Sequence, residues 1–365
     1  MKSSPYRVRD AESLPSPSLL FFEPLLRQNI AAAIGLAGGP ERLWPHVKTH
    51  KCPQAVRMMM DMGIRRFKCA TLAEAKMLGH CAAPHILLAY PLVGPNIAGF
   101  VALEAAFPQS AFYAVGDDYG QLALLSEASL AAGRPAAALL DLDIGMRRTG
   151  ASLEDGGALY RRCAKLSGLR MAGLHCYDGH IHQGDPQARA KAALPAADAA
   201  WGLRDALRAG GLSCDLLVLG GSPTFPVHAS REDAFLSPGT IFLMDAGYAE
   251  AYPDLPFTPA ACLFTRVISR PAPNRFTLDL GVKGIASEMP GARGAIVGMP
   301  EARPVLHSEE HWVFELPPDC PSPAVGQPLL VIPAHICPTC ALYDAAHVVR
   351  EGGRVAGRWD ILRGR

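Results

Sequence analysis

The chain has 365 residues, of which 35 are Lys or Arg and 34 are Asp or Glu, so its formal net charge at neutral pH is only +1. This balance gives no electrostatic case for binding nucleic acid or a membrane surface. Hydrophobic residues make up 49% of the chain, which excludes a disordered protein and suffices for one or two sizeable cores. At about 150 residues per domain, the length predicts two domains, unless one of them is an α/β barrel, which is larger.

No segment has the pattern of a signal peptide or a membrane span. The charged first ten residues lead into no long apolar run, and the longest apolar window, residues 85–107, is interrupted by prolines and glycine. The ten cysteines are scattered without a pattern, which favours a reducing compartment over a disulfide scaffold. We therefore expect a soluble, cytoplasmic protein.

Short apolar runs alternate with helical patterns over residues 18–247. We count eight runs, at 43–48, 65–69, 85–90, 111–115, 136–143, 170–177, 214–219 and 241–245. Strands that alternate with helices predict parallel βα units, and eight such units predict a (β/α)8 barrel within the α/β class. A doubly wound sheet is the alternative.

The sequence changes character after residue 245. Strand-like runs at 261–269, 275–280, 311–315, 328–332, 346–350 and 354–359 are separated by connections rich in Pro and Gly. We expect an antiparallel β domain that comprises residues 248–365 together with 1–17.

The segment 45–51, with the sequence PHVKTHK, ends the first predicted strand. Because side chains alternate along a strand, His46, Lys48 and His50 are expected on one face, which at a barrel's carboxyl end points to the active site. Burial and neighbouring positive charge lower the pKa of a lysine and make it a nucleophile able to form a Schiff base. A solvated lysine at a strand end is the alternative.

Two turns rich in glycine lie near the last predicted strands: the turn at 219–224 follows the seventh strand, and the turn at 237–240 leads into the eighth. Barrel enzymes often bind a phosphate at this place through backbone N–H groups and hydroxyls. Plain tight turns are the alternative interpretation. The candidate phosphate-binding residues are Gly221, Ser222, Thr224, Gly239 and Thr240.

Strands five and six end in polar residues. Alternation predicts that Asp141 and Asp143 share one face, as do His175 and Tyr177. Arg148, His175 and Tyr177 could form a cage around a planar cofactor ring. Paired polar residues of a barrel core are the alternative.

The motif His335-x-Cys337 lies in the predicted β domain. An i, i+2 pair on a strand projects both side chains to one side, and an imidazole with a thiolate favours zinc over magnesium. Two ligands leave coordination positions open, as catalytic metals require. We interpret Cys340 as a core cysteine. His311 is either part of a solvated turn or a further ligand.

Taken together, these motifs make the chain resemble one enzyme family. It resembles the metal-activated, pyridoxal 5'-phosphate-dependent family of D-threonine aldolase and D-serine dehydratase, which has an alanine-racemase-like barrel. The resemblance covers residues 15–363. Its motifs, in chain order, are PHVKTHK, FKCATLAEA, DIGMRRTG, GLHCYDGH, GGSPTF, SPGTIFLMD, DLGVKGIASE, SEEHW and HICPTCALYD.

The resemblance implies roles for several residues and a homodimer. Lys48 would form the Schiff base, Arg148 would approach the ring hydroxyl of the cofactor, and His175 or Tyr177 would contact its ring. The phosphate would lie at the turns Gly221-Ser222 and Gly239-Thr240, and the metal at His335 and Cys337. Ser237 stands where alanine racemases usually have the arginine that partners the pyridine nitrogen.

The same resemblance leaves the reaction between two candidates, both acting on D-β-hydroxy-α-amino acids. His-x-Cys is typical of the dehydratases, whereas the surrounding residues 338–344 and 352–355 are typical of D-threonine aldolases. We favour the aldolase, with a metal-bound hydroxide, His50 or His182 as the base. Zinc is the favoured metal, with manganese and magnesium as alternatives. An amino-acid racemase and a non-catalytic cofactor carrier are weaker hypotheses.

Overall fold

The computed structural model describes residues 5–9 and 11–364. Two compact units make up this part of the chain. The barrel unit consists of residues 33–48, 55–239 and 364, and the β unit consists of residues 5–9, 11–32, 49–54 and 240–363. The predicted boundary had placed 18–32, 49–54 and 240–247 in the barrel and 364 in the β domain. Residues 1–4, 10 and 365, which the predicted β domain includes, lie outside the described residues.

Strands and helices alternate in the first two thirds of the chain, and strands dominate the rest. In chain order the strands are β1 Ser18–Phe22, β2 Arg66–Cys69, β3 His85–Leu88, β4 Ala111–Gly116, β5 Ala136–Leu142, β6 Leu169–Cys176, β7 Leu216–Leu219, β8 Phe235–Leu236, β9 Ala261–Ala272, β10 Arg275–Leu278, β11 Gly294–Ile296, β12 Arg303–His307, β13 Trp312–Glu315, β14 Pro328–Pro333, β15 Ala345–Val349 and β16 Val355–Asp360. The helices are α1 Glu23–Ala37, α2 Pro53–Asp61, α3 Leu72–His80, α4 Pro95–Ala106, α5 Tyr119–Ala131, α6 Leu153–Cys163, α7 Pro186–Ala209, α8 Phe225–His228, α9 Ala246–Ala251 and α10 Ile336–Cys340.

Strands β2 to β8 form one parallel sheet in chain order. The segment 43–47 joins its two edges. The Trp44 N–H donates to the Leu236 carbonyl of β8 over 2.7 Å, and the Lys68 N–H of β2 donates to the Pro45 carbonyl over 2.7 Å. This segment closes the sheet through isolated bridges and hydrogen bonds, and the predicted α/β barrel is confirmed.

Inward-facing side chains from successive strands fill the barrel. Trp44 packs edge-on against Tyr113 at a centroid distance of 5.5 Å, and its Nε1–H donates to the Phe67 carbonyl over 2.7 Å. Burying one large side chain of this kind contributes about 1.5–3 kcal/mol. The other fully enclosed members of this cluster are Leu87, Val115, Leu139, Ala172 and Val218. The core therefore lies below the strand ends that carry the polar residues.

The eighth predicted strand, at residues 241–245, is wrong. The last strand of the sheet is β8, which ends at Leu236, before this segment. Residues 240–242 form a turn of 3-10 helix. The Leu243 and Met244 N–H groups both donate to the Thr240 carbonyl, and Met244 has a φ of +49°. The segment is fully buried, and a buried turn has the same continuous apolar pattern as a buried strand.

The β unit contains a mainly antiparallel sheet in the order β12-β13-β10-β9-β1-β15-β16, with β14 pairing β9 and β11. The exception is β1, which pairs in parallel with β15 and is buried along its whole length. The sequence SLLFF of β1 is typical of a central strand, but no strand was predicted there. Strands β11 and β12 were not predicted either. No helix in the described ranges is long and apolar enough to span a membrane.

Candidate active site

A pocket of about 310 Å³ opens in the barrel unit at the ends of its strands. Two exposed cations, Lys48 and Arg148, lie at its walls. The remaining lining residues are His46, Lys68, Ala70, Ala89, Tyr90, Pro91, Thr149, His175 and Tyr177. Five side chains proposed from the sequence thus line one cavity: His46, Lys48, Arg148, His175 and Tyr177.

The segment that carries Lys48 is a turn and not the end of a strand. Residues 47–50 follow the bridge at His46, and the Lys48 N–H donates to His46 Nδ1 over 3.3 Å. The predicted alternation of His46, Lys48 and His50 on one face is therefore wrong. His50 is fully buried in the β unit, where its Nδ1 accepts a hydrogen bond from the Cys52 N–H over 3.1 Å.

His175 is held by a buried carboxylate. Its Nδ1 lies 2.6 Å from Asp141 Oδ1, and Asp141 Oδ2 accepts a hydrogen bond from the Thr149 hydroxyl over 2.8 Å. Burial lowers the pKa of His175, and this effect outweighs the attraction of Asp141. Burial opposes ionisation of Asp141, but its bonds to His175 and Thr149 hold its pKa below the usual range. The pair is therefore a neutral imidazole that donates to a carboxylate.

Tyr177 lies between two cations at the pocket wall. The Arg148 guanidinium carbon is 5.3 Å from the centre of its ring and the Lys68 Nζ is 5.6 Å from it, within cation–π range. A Cβ at Gly179 would lie 2.2 Å from the Tyr177 ring, and one at Gly221 would lie 3.2 Å from it. Two glycines thus make room for the phenol ring.

A tight loop at residues 143–150 presents Arg148. Asp143 Oδ1 accepts the Gly145 and Arg147 N–H groups, each over 2.9 Å. A Cβ at Gly150, where φ is +108°, would lie 2.4 Å from the Asp143 nitrogen. Asp143 therefore folds the loop and lies beyond the end of β5, whereas Asp141 is on the strand, so the predicted pairing of the two on one strand face is wrong.

Asp178 organises the first glycine turn. Its Oδ1 accepts the Gly221 N–H over 2.9 Å and the Thr224 hydroxyl over 2.8 Å, and its Oδ2 lies 2.8 Å from His228 Nε2. All these groups are buried. The Gly221 N–H and the Thr224 hydroxyl thus already have a protein partner in Asp178. Sequence analysis missed Asp178 and His228, which lie 50 residues apart.

The two glycine turns are joined to one another. The Gly239 N–H donates to Ser222 Oγ over 3.1 Å. The structure therefore brings together Gly221, Ser222 and Gly239, whose role in binding a phosphate stays a prediction. Thr240 belongs to the β unit instead, where its Oγ1 lies 3.5 Å from Cys337 Sγ.

The His335-x-Cys337 pair lies at the start of a helix in the β unit. The predicted strand is wrong, because His335 is the residue before α10 and Cys337 is in its first turn. The two side chains are nevertheless close enough for Cys337 to shift the pKa of His335. Thr49 Oγ1 lies 3.2 Å from Cys337 Sγ.

Carboxylates surround this pair. Glu288 Oε1 lies 2.5 Å from His335 Nδ1, and the buried Asp245 accepts the Ile336 N–H over 3.0 Å. The interaction with Cys337 raises the pKa of His335 to about 9 against the effect of burial, and the hydrogen bond with Glu288 and the charge of Asp245 add to it. The site therefore favours positive charge. Asp245, the last residue of the SPGTIFLMD motif, was not recognised as its support.

Two further histidines take no part in a metal cluster. His311 is exposed in the turn between β12 and β13, where Glu309 and Glu310 pair with Lys283. His182 is also exposed, in the barrel unit. Across residues 5–9 and 11–364, no three His, Cys, Asp or Glu side chains are grouped so that they could hold a metal ion. In the described residues, His335 and Cys337 are thus a pair and do not belong to a larger cluster of such side chains.

Comparison with known proteins places the chain in a family. The profile of the alanine racemase N-terminal domain matches residues 25–246, and that of a putative serine dehydratase domain matches residues 260–349. A D-threonine aldolase from an Arthrobacter species is 31% identical over 87% of this chain and 84% of its own length. The chain belongs to the alanine racemase N-terminal domain family, as a relative of D-threonine aldolase. The prediction of an enzyme of this lyase group is confirmed.

Solved structures show the same fold over almost the whole chain. The crystal structure of D-threonine aldolase from Filomicrobium marinum has a TM-score of 0.89 at 28% identity, covering 98% of this chain and 97% of that one. D-threo-3-hydroxyaspartate dehydratase from a Delftia species has a TM-score of 0.84 at 20% identity, with 97% and 99% covered. The second match shows a shared fold.

Proposed function

We propose that the protein is a pyridoxal phosphate- and metal-dependent lyase that cleaves D-β-hydroxy-α-amino acids, with D-threonine giving glycine and acetaldehyde. The observation that carries the proposal is the barrel pocket, in which the amine of Lys48 faces a cavity shared with Arg148, His175 and Tyr177. The relationship to D-threonine aldolase at 31% identity over 87% of the chain favours cleavage over elimination.

The pocket suits pyridoxal phosphate in size and in its polar groups. A cavity of about 310 Å³ is within the usual range for small-molecule sites. Lys48 would hold the aldehyde carbon, Tyr177 offers a flat face, and Arg148 offers a positive charge. The joined turns at Ser222 and Gly239 would receive the phosphate. When bound, the cofactor takes up the electron pair of the bond that is broken at Cα.

The chain's own groups prepare this pocket for the reaction. Asp141 fixes the tautomer of His175 with the proton on Nδ1, so its Nε2 is an acceptor. Because both side chains are buried, the imidazole cannot turn freely. Lys48 is exposed at the cavity, so the amine of a substrate could take its place as the group attached to the cofactor. These features support binding of an amino acid in a fixed orientation.

The chemistry of the His335-x-Cys337 pair fits a divalent cation. Imidazole and thiolate are zinc ligands, and two protein ligands leave positions for water or substrate. A bound cation supplies a Lewis acid that lowers the pKa of a hydroxyl group. Glu288, at 2.5 Å, orients the imidazole of His335, and Asp245 holds the loop. Manganese and magnesium are the alternative metals.

A second candidate reaction is elimination of water from the same substrates, giving a 2-oxo acid and ammonia. It is favoured by Cys337 at the second ligand position and by the putative serine dehydratase profile over residues 260–349. The two reactions use the same residues and differ in the bond that breaks.

Product analysis separates these candidates. The purified protein, supplied with pyridoxal phosphate and zinc or manganese, is incubated with D-threonine with and without a chelator, and L-threonine serves as the control substrate. Glycine and acetaldehyde that disappear on chelation support the proposal. If the products are 2-oxobutyrate and ammonia, the protein is a dehydratase and the proposal is wrong. Threonine epimerised at Cα would indicate a racemase, and the absence of any product would indicate a non-catalytic cofactor carrier.

We also propose a homodimer in the cytoplasm. The dimer rests on the resemblance described above, and ten free cysteines support a reducing compartment. Sedimentation of the purified protein tests the dimer; a single species at the monomer mass would contradict it.

A further inference from the structure

Lys68 is the most deeply buried of the cations that line the barrel pocket. It lies on β2, and its side chain is only 3% exposed, whereas Lys48 and Arg148 are exposed. Its Nζ faces the same cavity, 5.6 Å from the centre of the Tyr177 ring. The sequence contains it within the FKCATLAEA motif, but neither the proposed function nor the resemblance gives it a role.

The carboxylates nearest to Lys68 are committed to other partners. Asp141 binds His175 and Thr149, and Asp178 binds the Gly221 N–H, Thr224 and His228. Their charges reach Lys68, but in the described part of the chain no carboxylate forms an ion pair with it within 4.0 Å. Among residues 5–9 and 11–364, the buried Lys68 amine therefore has no carboxylate or hydrogen-bond acceptor of its own.

Such a group is costly for the fold. Burial, together with the like charge of Lys48, lowers the pKa of Lys68 to about 7 against the attraction of Asp141 and Asp178. An apolar side chain of the same length would fill this space without that cost. A buried cation with free donors, aimed into a ligand cavity, is the arrangement that binds an anionic oxygen.

We propose that Lys68 is a second ligand-binding amine of the barrel pocket, which donates hydrogen bonds to an anionic oxygen of the molecule bound there. Two oxygens have this chemistry, the ring oxygen of pyridoxal phosphate and the carboxylate of the amino acid. The inference rests on the proposed function and deepens it. Lys48 provides the covalent attachment, and Lys68 provides a charge that selects and orients the ligand.

Two titrations on the full-length protein test this role. Pyridoxal phosphate is titrated first, into protein freed of cofactor, and glycine is then titrated into the loaded protein, both followed by absorbance. The variants are Lys68→Met, which keeps the length without the charge, Lys68→Arg, which keeps the charge, and Lys76→Met as an exposed control on α3. We expect Lys68→Met to weaken one of the two affinities at least tenfold, Lys68→Arg to weaken it less, and Lys76→Met to leave both unchanged.

The outcomes distinguish the source of the oxygen. Weaker binding of pyridoxal phosphate assigns Lys68 to the ring oxygen. Normal loading with weaker binding of glycine assigns it to the carboxylate. If Lys68→Met binds both ligands within twofold of the wild type, the inference is overturned. If the wild type binds no pyridoxal phosphate, the proposed function fails and this inference fails with it.

Thermal melting separates ligand binding from a structural role. Lys68→Met should melt at the same temperature as the wild type or higher, since a buried charge is removed, whereas a lysine that held the barrel together would lower it. If Lys68→Met does not fold, Lys68→Gln is carried through the same titrations, with the same tenfold and twofold limits.

Discussion

The barrel pocket and the His335-x-Cys337 pair hold their polar groups by different means. In the pocket, Asp141 fixes His175 and Asp178 fixes the first glycine turn, and all of these groups are buried. His335 is partly exposed, and its partner Glu288 is also exposed. The pocket is therefore preorganised by the protein, whereas under our proposal a bound cation would complete the pair. Substitutions in the two regions should accordingly fail in different ways.

The largest effect is expected in the pocket, from Lys48→Ala. Loss of the amine that attaches the cofactor should lower kcat for D-threonine cleavage by about a thousandfold or more, as for other essential nucleophiles. Metal content and melting temperature should stay at wild-type values, since Lys48 is exposed. Steady-state kinetics with Lys76→Ala as the control checks this. A Lys48→Ala enzyme within tenfold of the wild type would remove Lys48 from the chemistry.

The metal pair should respond through metal content. His335→Ala removes one of two ligands, so we expect bound metal to fall below half occupancy and activity to drop by about a hundredfold. Cys337→Asp should keep both, because a carboxylate also binds zinc or manganese. Elemental analysis beside kinetics measures this, with the exposed His311→Ala as the control. Full metal content in His335→Ala would contradict the assignment.

Within the β unit, His50 should make the protein sensitive to acid. Burial lowers the pKa of His50 to about 4, so between pH 6.5 and 4 the unfolded chain binds more protons than the folded one. Its contribution is complete above pH 6.5, and the free energy of unfolding should fall by about 2–3 kcal/mol as the pH drops through this window.

A His50→Gln variant should have a flatter profile in denaturant titrations over that range. The exposed His182→Gln should follow the wild-type curve. If His50→Gln loses stability with acid as steeply as the wild type, the buried imidazole is not the source of the sensitivity.

The smallest effect is expected from Asp178→Asn. The amide oxygen of the variant can still accept the Gly221 N–H. Its NH2 group would face the His228 N–H, which the wild-type carboxylate accepts, so two donors would oppose one another. Leaving a buried donor without its acceptor costs about 1–3 kcal/mol. Denaturant unfolding and titration with pyridoxal phosphate should show this loss with severalfold weaker cofactor binding. Asp198→Asn, whose partner Arg231 is exposed, is the control; equal effects would mean that the glycine turn does not need Asp178.

The sequence predicts the barrel better than it predicts the local conformation at either site. Regular alternation of apolar runs and helical patterns located β2 to β7 within a few residues. It failed at residues 241–245, where a buried turn has the apolar pattern of a strand. It also failed at His335, because a single turn of helix is too short to show a period.

The partners of the site residues were beyond the reach of the sequence. Asp141 and His175 lie 34 residues apart, and Asp178 and His228 lie 50 apart, so only the closed sheet brings each pair together. Lys68 lay inside a recognised motif, but its burial follows from the way in which segment 43–47 closes the barrel beside β2.

The most direct test of the account is to locate the cofactor on the chain. The purified protein is loaded with pyridoxal phosphate, reduced with borohydride, digested and analysed by mass spectrometry. We predict the added phosphopyridoxyl mass on Lys48, with Lys68 unmodified, and its loss when D-threonine is added before reduction. Modification of Lys68, or of neither lysine, would contradict the claim that the barrel pocket holds the cofactor through Lys48.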